Sequence, residues 1–186
     1  MLKTRIAVFV SGGGTNFEAL INAQENGKIP HGEIVLMVSS SKTAYALKRA
    51  ENHGIKSVVC SKKELGSQES FEEEILKNLE ENDIQLIVLA GFMSILSNEF
   101  TKKYENRIIN IHPSLIPSFC GEGFYGLHVH EAALKKGVKV TGATVHIVNE
   151  IPDGGPIIMQ RAVYVEENDT PEILQKRVME QAEWKI

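Results

Sequence analysis

The chain has 186 residues, 42% hydrophobic and 24% charged, with a formal net charge of −4 at pH 7. That length supports one domain with an adequate core, and the composition is ordinary for a soluble globular protein. The acidic balance argues against a general nucleic-acid binder, because phosphate contacts demand a basic surface. No apolar run reaches membrane-spanning length, and Met1-Leu2-Lys3-Thr4-Arg5 leads into a strand pattern rather than a signal peptide. Cys60 and Cys120 sit far apart without metal-ligand spacing, so reduced thiols in a cytoplasmic protein are expected.

Arg5–Val10 is a continuous apolar run and a candidate central parallel strand. Ser11-Gly12-Gly13-Gly14-Thr15-Asn16 follows at once, and Phe17–Gln24 then shows helical spacing. Strand, glycine loop and helix in succession aim backbone N–H groups and a helix N-terminus at an anion. There is no Gly-Lys-Ser/Thr, which excludes a Walker loop. A dinucleotide fingerprint fails too: Phe17 stands at the third glycine, and Ser39-Ser40-Ser41-Lys42 lacks the ribose-binding acid. A mononucleotide-like phosphate site and a plain tight turn both remain open.

Strand two is expected over Glu33–Ser39, a helix over Ala44–His53 closed by Gly54, and a short strand over Lys56–Cys60. Gln68–Asn82 reads as an acidic amphipathic helix with Phe71, Ile75, Leu76 and Leu79 on one face. Ile84–Gly91 is the clearest buried strand. Phe92-Met93-Ser94-Ile95-Leu96 after it is unusually apolar for a loop, fitting either ordinary core or the wall of an apolar pocket. Arg107-Ile108-Ile109 begins a fifth strand, which ends at Asn110-Ile111-His112 where Pro113 and Pro117 stop it. Residues two apart on a strand share a face. Asn110 and His112 therefore emerge together at the carboxyl edge, where open α/β sheets bind ligands.

Ser118–Gly126 is a glycine- and aromatic-rich loop of functional length. His128-Val129-His130 enters a short helix; without further ligands nearby, satisfied or solvated histidines are expected rather than a metal site. Two longer strands, Lys139–Asn149 and Pro156–Glu166, flank a Pro152-Asp153-Gly154 turn signal. Asp169-Thr170-Pro171-Glu172 opens a last helix running through Leu174, Val178 and Ala182 to Ile186. The alternation of strands and helices makes this an α/β protein with a doubly wound, mostly parallel sheet.

Five motifs now stand in order: Ser11–Asn16, Leu89–Leu96, Asn110–Pro117, Gly142-Ala-Thr-Val-His146 and Asp153-Gly-Gly-Pro156. In that order and spacing the chain closely resembles the folate-dependent phosphoribosylglycinamide formyltransferase family over nearly its whole length. The resemblance implies a Rossmann-like fold in one domain spanning 1–186. It implies transfer of formyl from 10-formyltetrahydrofolate to the amine of glycinamide ribonucleotide in purine biosynthesis, with no metal. By the same resemblance Asn110, His112 and Asp153 are catalytic. Gly13, Gly14, Thr15, Asn16 and Glu183 meet the nucleotide substrate. Met93, Ser94, Ile95, Leu96, Val148 and Asn149, with Asn110 and Asp153, meet the folate.

These assignments suit the chemistry. The substrate amine is the nucleophile, so no Ser or Cys nucleophile is required. Attack on the formyl carbon produces an oxyanion that needs fixed hydrogen-bond donors, which Asn110 and His112 can supply. Asp153, otherwise a turn former, is expected within reach of His112, to orient it and help relay a proton. The chain departs from the family at Asn149, where Asp is common, and at Gln68 and Ser94, where arginines that meet the folate tail are found. The last helix reads one residue longer than the family pattern. Family members usually continue beyond Ile186, so the last part of the family's C-terminal region is expected to be missing. The partners expected are the two small molecules, without nucleic acid or membrane, in a monomer or homodimer. The related folate hydrolase, the formylating domain acting on methionyl-tRNA, and a non-catalytic phospho-ligand sensor are the competing readings.

Overall fold

In the computed structural model, which describes residues 2–186, the elements follow the expected alternation. Their order is β1 (Thr4–Val10), α1 (Thr15–Glu25), β2 (Gly32–Ser39), α2 (Ala46–Asn52), β3 (Lys56–Val59), α3 (Lys62–Leu65), α4 (Gln68–Glu81) and β4 (Leu86–Leu89). Then come α5 (Asn98–Lys103), β5 (Ile108–His112), α6 (Leu127–Lys136), β6 (Val140–Ile147), β7 (Ile157–Tyr164), α7 (Pro171–Val178) and a π-helical segment, Met179–Glu183. Met1, the first residue of the leader reading, lies outside the described residues. The strands form one seven-stranded sheet in the order β3-β2-β1-β4-β5-β6-β7. β1 runs parallel to both β2 and β4, β2 runs parallel to β3, and β6 and β7 are antiparallel. The mostly parallel, doubly wound sheet is therefore what forms. The chain divides into two compact units, the first ending at Ile109 and the second Asn110–Ile186.

The first unit is built on β1. Ala7, Val8 and Phe9 are fully buried and Val10 nearly so, as a strand covered on both faces requires. Ile6, Val8 and Val10 cluster with Phe17 and Ile21 of α1 and with Ala46 and Ala50 of α2. On the opposite face Phe9 meets Phe92 edge-on, with ring centroids 5.1 Å apart, and Phe92 stacks over Phe71 of α4. Each such fully buried side chain contributes about 1.5–3 kcal/mol. The connection from β1 leads outward to β2 and β3, and the chain then returns to place β4 on the other side of β1. That reversal puts a switch point between the carboxyl ends of β1 and β4, where loops diverge and a ligand crevice forms.

In the second unit Ala133 of α6, Ala143 of β6, Val163 of β7, and Leu174 and Val178 of α7 share a core with Ala182. Gly142 on β6 has no room for a side chain, since a Cβ there would sit 2.0 Å from the Arg161 carbonyl oxygen of β7. Thr170 caps α7 by accepting the Ile173 N–H, and Pro171 occupies the first turn.

Three local features differ from the sequence reading. The segments α3 and α5 are too short for their periodicity to show. The start of α5 is nonetheless encoded, because the Ser97 hydroxyl accepts the Phe100 N–H as an N-cap. The last helix is not uniform: it widens after Val178, and the Trp184 N–H reaches back five residues to the Met179 carbonyl. A π turn accommodates one more residue per turn than the α-helix before it.

Candidate active site

The end of β5 and the β6–β7 turn meet in the second unit. His112 is buried, with Nδ1 3.4 Å from Asp153 Oδ2 and Nε2 2.9 Å from the Phe119 carbonyl oxygen. The other carboxylate oxygen of Asp153 lies 3.4 Å from Nε2 of His146, which is also buried. Asn110 Nδ2 approaches the same His146 nitrogen at 3.1 Å, and His146 Nδ1 is 2.9 Å from the Ile147 carbonyl. A carbonyl can only accept, so it places the hydrogen on Nδ1 of His146. Nε2 of His146 thus faces two partners at once, the Asp153 carboxylate and the Asn110 amide. By the same reasoning the Phe119 carbonyl places a hydrogen on Nε2 of His112.

Asp153 is the hub. Its backbone is left-handed, with φ 54°, a conformation Asp tolerates in turns. It is thus a turn residue whose carboxylate also lies between two imidazoles. Its side chain is 14% exposed, and its Oδ2 accepts the Gly121 N–H at 2.9 Å. Burial by itself raises the carboxyl pKa. The hydrogen bonds from His146 and Gly121 and the charge of the two imidazoles outweigh that, holding it below the ordinary value. A carboxylate between two imidazoles, steadied by a backbone amide, therefore stays ionised.

The adjacent histidine pair divides. His128 is exposed and its Nδ1 lies 3.0 Å from Glu131, the solvated outcome the sequence suggested. His130 is buried, with no hydrogen-bond partner on either ring nitrogen, so the expectation of a satisfied histidine does not hold there. Burial, helped by the charge of His112, pushes its pKa down to about 4, which keeps the ring neutral. Among the described residues no group of three or more His, Cys, Asp or Glu side chains is placed to hold a metal ion.

In the first unit the Ser11–Asn16 loop joins β1 to α1. The Gly12 carbonyl accepts the Ala46 N–H, the Gly13 carbonyl accepts the Arg49 guanidinium at 2.8 Å, and the Gly14 carbonyl accepts the Glu18 N–H. In a planar trans peptide the N–H points opposite to the carbonyl. The amides of Gly13 and Gly14 are therefore aimed away from their α2 partners and that of Thr15 away from the body of α1, leaving them available to an anion at the helix N-terminus. Gly14 is required twice over: its φ is 71°, and a Cβ would lie 2.8 Å from that of Ala46.

The apolar loop after β4 resolves into two roles. Phe92 is half-buried and packs its ring against Phe9 and Phe71 of the core, whereas Met93 and Ile95 are 55% and 80% exposed. Ser94 and Leu96 are half-buried. In the second unit Val148 and Asn149 are half-buried at the start of the β6–β7 turn, where Asn149 Oδ1 accepts the Ile151 N–H. Glu183 closes the π-helical segment.

The sequence reading brought Asn110, His112 and Asp153 into the site but did not select His146, Phe119 or Gly121. His146 sits on β6 in the Gly142–His146 motif, and its buried position at a strand end was the available signal. The Phe119 carbonyl and Gly121 amide contribute main-chain atoms, which leave no trace in residue type.

Three comparisons bear on this arrangement. Residues 4–186 match the formyl transferase family. The solved glycinamide ribonucleotide transformylase 1 from Symbiobacterium toebii superposes with a TM-score of 0.91 at 37% identity, over 99% of this chain and 84% of that one. The curated phosphoribosylglycinamide formyltransferase of Bacillus subtilis is 38% identical over 94% of this chain and 86% of its own. The trifunctional purine biosynthetic protein adenosine-3 of Gallus gallus is 47% identical over 96% of this chain, which spans 17% of the length of that relative.

Proposed function

The chain belongs to the formyl transferase family, and on that premise we propose that it transfers a formyl group from 10-formyltetrahydrofolate to the amine of glycinamide ribonucleotide. The observation that carries this reading is the ionised Asp153 set between His112 and His146, with Asn110 tied to the same network. The substrate amine attacks the formyl carbon, and the carbonyl electrons move onto oxygen to give a tetrahedral oxyanion. That oxyanion collapses, breaking the bond to N10 of the folate, and a proton leaves the amine while one reaches N10. Fixed donors aimed at the developing oxyanion supply the largest single stabilisation in such reactions. The Asn110 amide serves as such a donor, and the charge that develops on His112 stabilises the same oxyanion. Asp153 balances the charge that develops on His112 and relays a proton directly or through water.

The nucleotide phosphate is received by the amides of Gly13, Gly14 and Thr15, with the Asn16 side chain beside them. Met93, Ser94, Ile95 and Leu96 offer an apolar wall to the folate ring, Val148 and Asn149 are further folate contacts, and Glu183 meets the nucleotide. The reading treats the chain as a single formyltransferase domain without a metal, acting on two small molecules in the cytoplasm. No helix among the described residues is long and apolar enough to cross a membrane.

The test is direct. Purified protein is mixed with glycinamide ribonucleotide and 10-formyltetrahydrofolate, and deformylated folate is followed by its absorbance. Turnover that requires the nucleotide supports the reading. Formate release without it would mark a hydrolase, and folate binding without turnover would mark a sensor.

A further inference from the structure

The loop carrying Met93 and Ile95 is held at both ends by side chains that neither the chemistry nor the phosphate loop accounts for. At its start the Ser11 backbone N–H donates to the Gly91 carbonyl at 3.1 Å. The Ser11 hydroxyl in turn accepts the Met93 N–H at 2.8 Å and shares a 2.6 Å hydrogen bond with the Ser40 hydroxyl. One residue at the switch point thus ties together the loops that follow β1, β2 and β4. At the loop's far end stands Glu72 of α4, 7% exposed and so almost out of water. Its carboxylate accepts the Ser97 N–H and the Ser97 hydroxyl, both at 2.6 Å, and also the Gln68 amide. Gln68 uses its amide nitrogen a second time, donating to the Ile95 carbonyl at 3.1 Å. A buried carboxylate left without such partners would be costly, so this clamp is an obligatory part of the packing.

Between these two clamps Met93 and Ile95 stand largely in solvent. Exposed apolar side chains on a mobile loop would collapse onto the nearest apolar surface. Held as they are by main-chain hydrogen bonds at residues 91, 93, 95 and 97, they form a surface fixed before any ligand arrives. Such preorganisation lowers the ordering cost of binding.

We infer that Ser11, Gln68 and Glu72 are positioning residues that hold the 92–97 loop as a rigid apolar platform for the flat ring of the folate, a step that rests on the function proposed above. Gln68 is then committed to the loop rather than to the folate tail, and Ser11 joins the platform to the phosphate-binding turn. Ligand discrimination on this side of the site comes from the rigidity of the loop as much as from the identity of its side chains.

Two readouts test this in the intact chain. The first is hydrogen exchange at the Met93 and Ser97 amides, which reports the clamps whether or not the protein is an enzyme. Exchange at Met93 should quicken about tenfold in Ser11→Ala and stay near wild type in Ser11→Thr, which keeps the hydroxyl. The second is the split between KM and kcat. Ser11→Ala and Gln68→Ala should each raise KM for 10-formyltetrahydrofolate about tenfold while lowering kcat less than about threefold, with Ser11→Thr restoring KM. Tetrahydrofolate titration by calorimetry should show the same loss in affinity. Gln68 is partly exposed in the first turn of α4, so Gln68→Ala carries the test should Ser11→Ala fail to fold. Unchanged folate KM in folded variants with faster exchange would overturn the inference while leaving the formyltransferase reading in place. A wild-type protein with slow exchange that binds no tetrahydrofolate would overturn both.

Discussion

Replacing Asp153 by Asn separates the charge of the hub from its shape. Asn tolerates the left-handed backbone at φ 54°, and its Oδ1 can still accept the Gly121 N–H, so the turn should form. What is lost is a negative charge 3.4 Å from a nitrogen of each of two imidazoles. Between full charges at that distance, an effective dielectric constant near 20 gives about 5 kcal/mol. Only the part of the charge on His112 that develops during the reaction counts towards rate. Taking about half of it leaves about 2.5 kcal/mol, close to a hundredfold in kcat. Steady-state kinetics should therefore show kcat down about a hundredfold with both KM values little changed. His112→Ala should be similarly slow, and the double variant far from multiplicatively worse, because the two side chains act as a unit. The pKa of Asp153 is depressed on folding, so its contribution to stability is present above the ordinary value of 3.8 and lost as pH falls through the lower folded value. The stability advantage of wild type over Asp153→Asn in urea melts should accordingly shrink below about pH 4. A variant with kcat within tenfold of wild type would refute the reasoning and return Asp153 to a purely structural turn.

Gly14→Val places a branched side chain at φ 71° and against the Cβ of Ala46; it should raise KM for glycinamide ribonucleotide at least tenfold while folate titrations change little, and equal loss of both would count against the phosphate assignment. Cys120→Ala should retain most of its turnover, since burial and then the nearby Asp153 charge raise the thiol's pKa and disfavour a thiolate; a formyl thioester trapped on Cys120 by mass spectrometry would sink the direct-transfer mechanism. His146→Ala removes the ring that meets both Asp153 and the Asn110 amide and should lower kcat about tenfold to hundredfold, whereas a change confined to thermal stability would make His146 a packing residue.

Several parts of this protein were legible from residue order alone. Hydrophobic runs of strand length separated by helical spacing specify a parallel sheet, because only a strand buried on both faces tolerates Arg5–Val10 or Ile84–Ala90 without alternation. Gly14 announced its loop through a backbone that other residues resist, and Asn110 and His112 announced a shared face through their spacing of two. Each of these signals is local, carried within a few residues of chain. What the sequence left undecided depends on atoms distant along the chain or on atoms every residue possesses. Asp153 reads from its own neighbours as a turn former, and the family resemblance alone set it near His112; the fold adds His146 on its other side. The apolar loop reads as ordinary core or as the wall of an apolar pocket until Phe92 finds Phe9 and Phe71, and Ser11 and Glu72 hold its two ends. The Phe119 carbonyl and the Gly121 amide are invisible in sequence because any residue supplies them; only the path of the folded chain turns those two toward a histidine and a carboxylate.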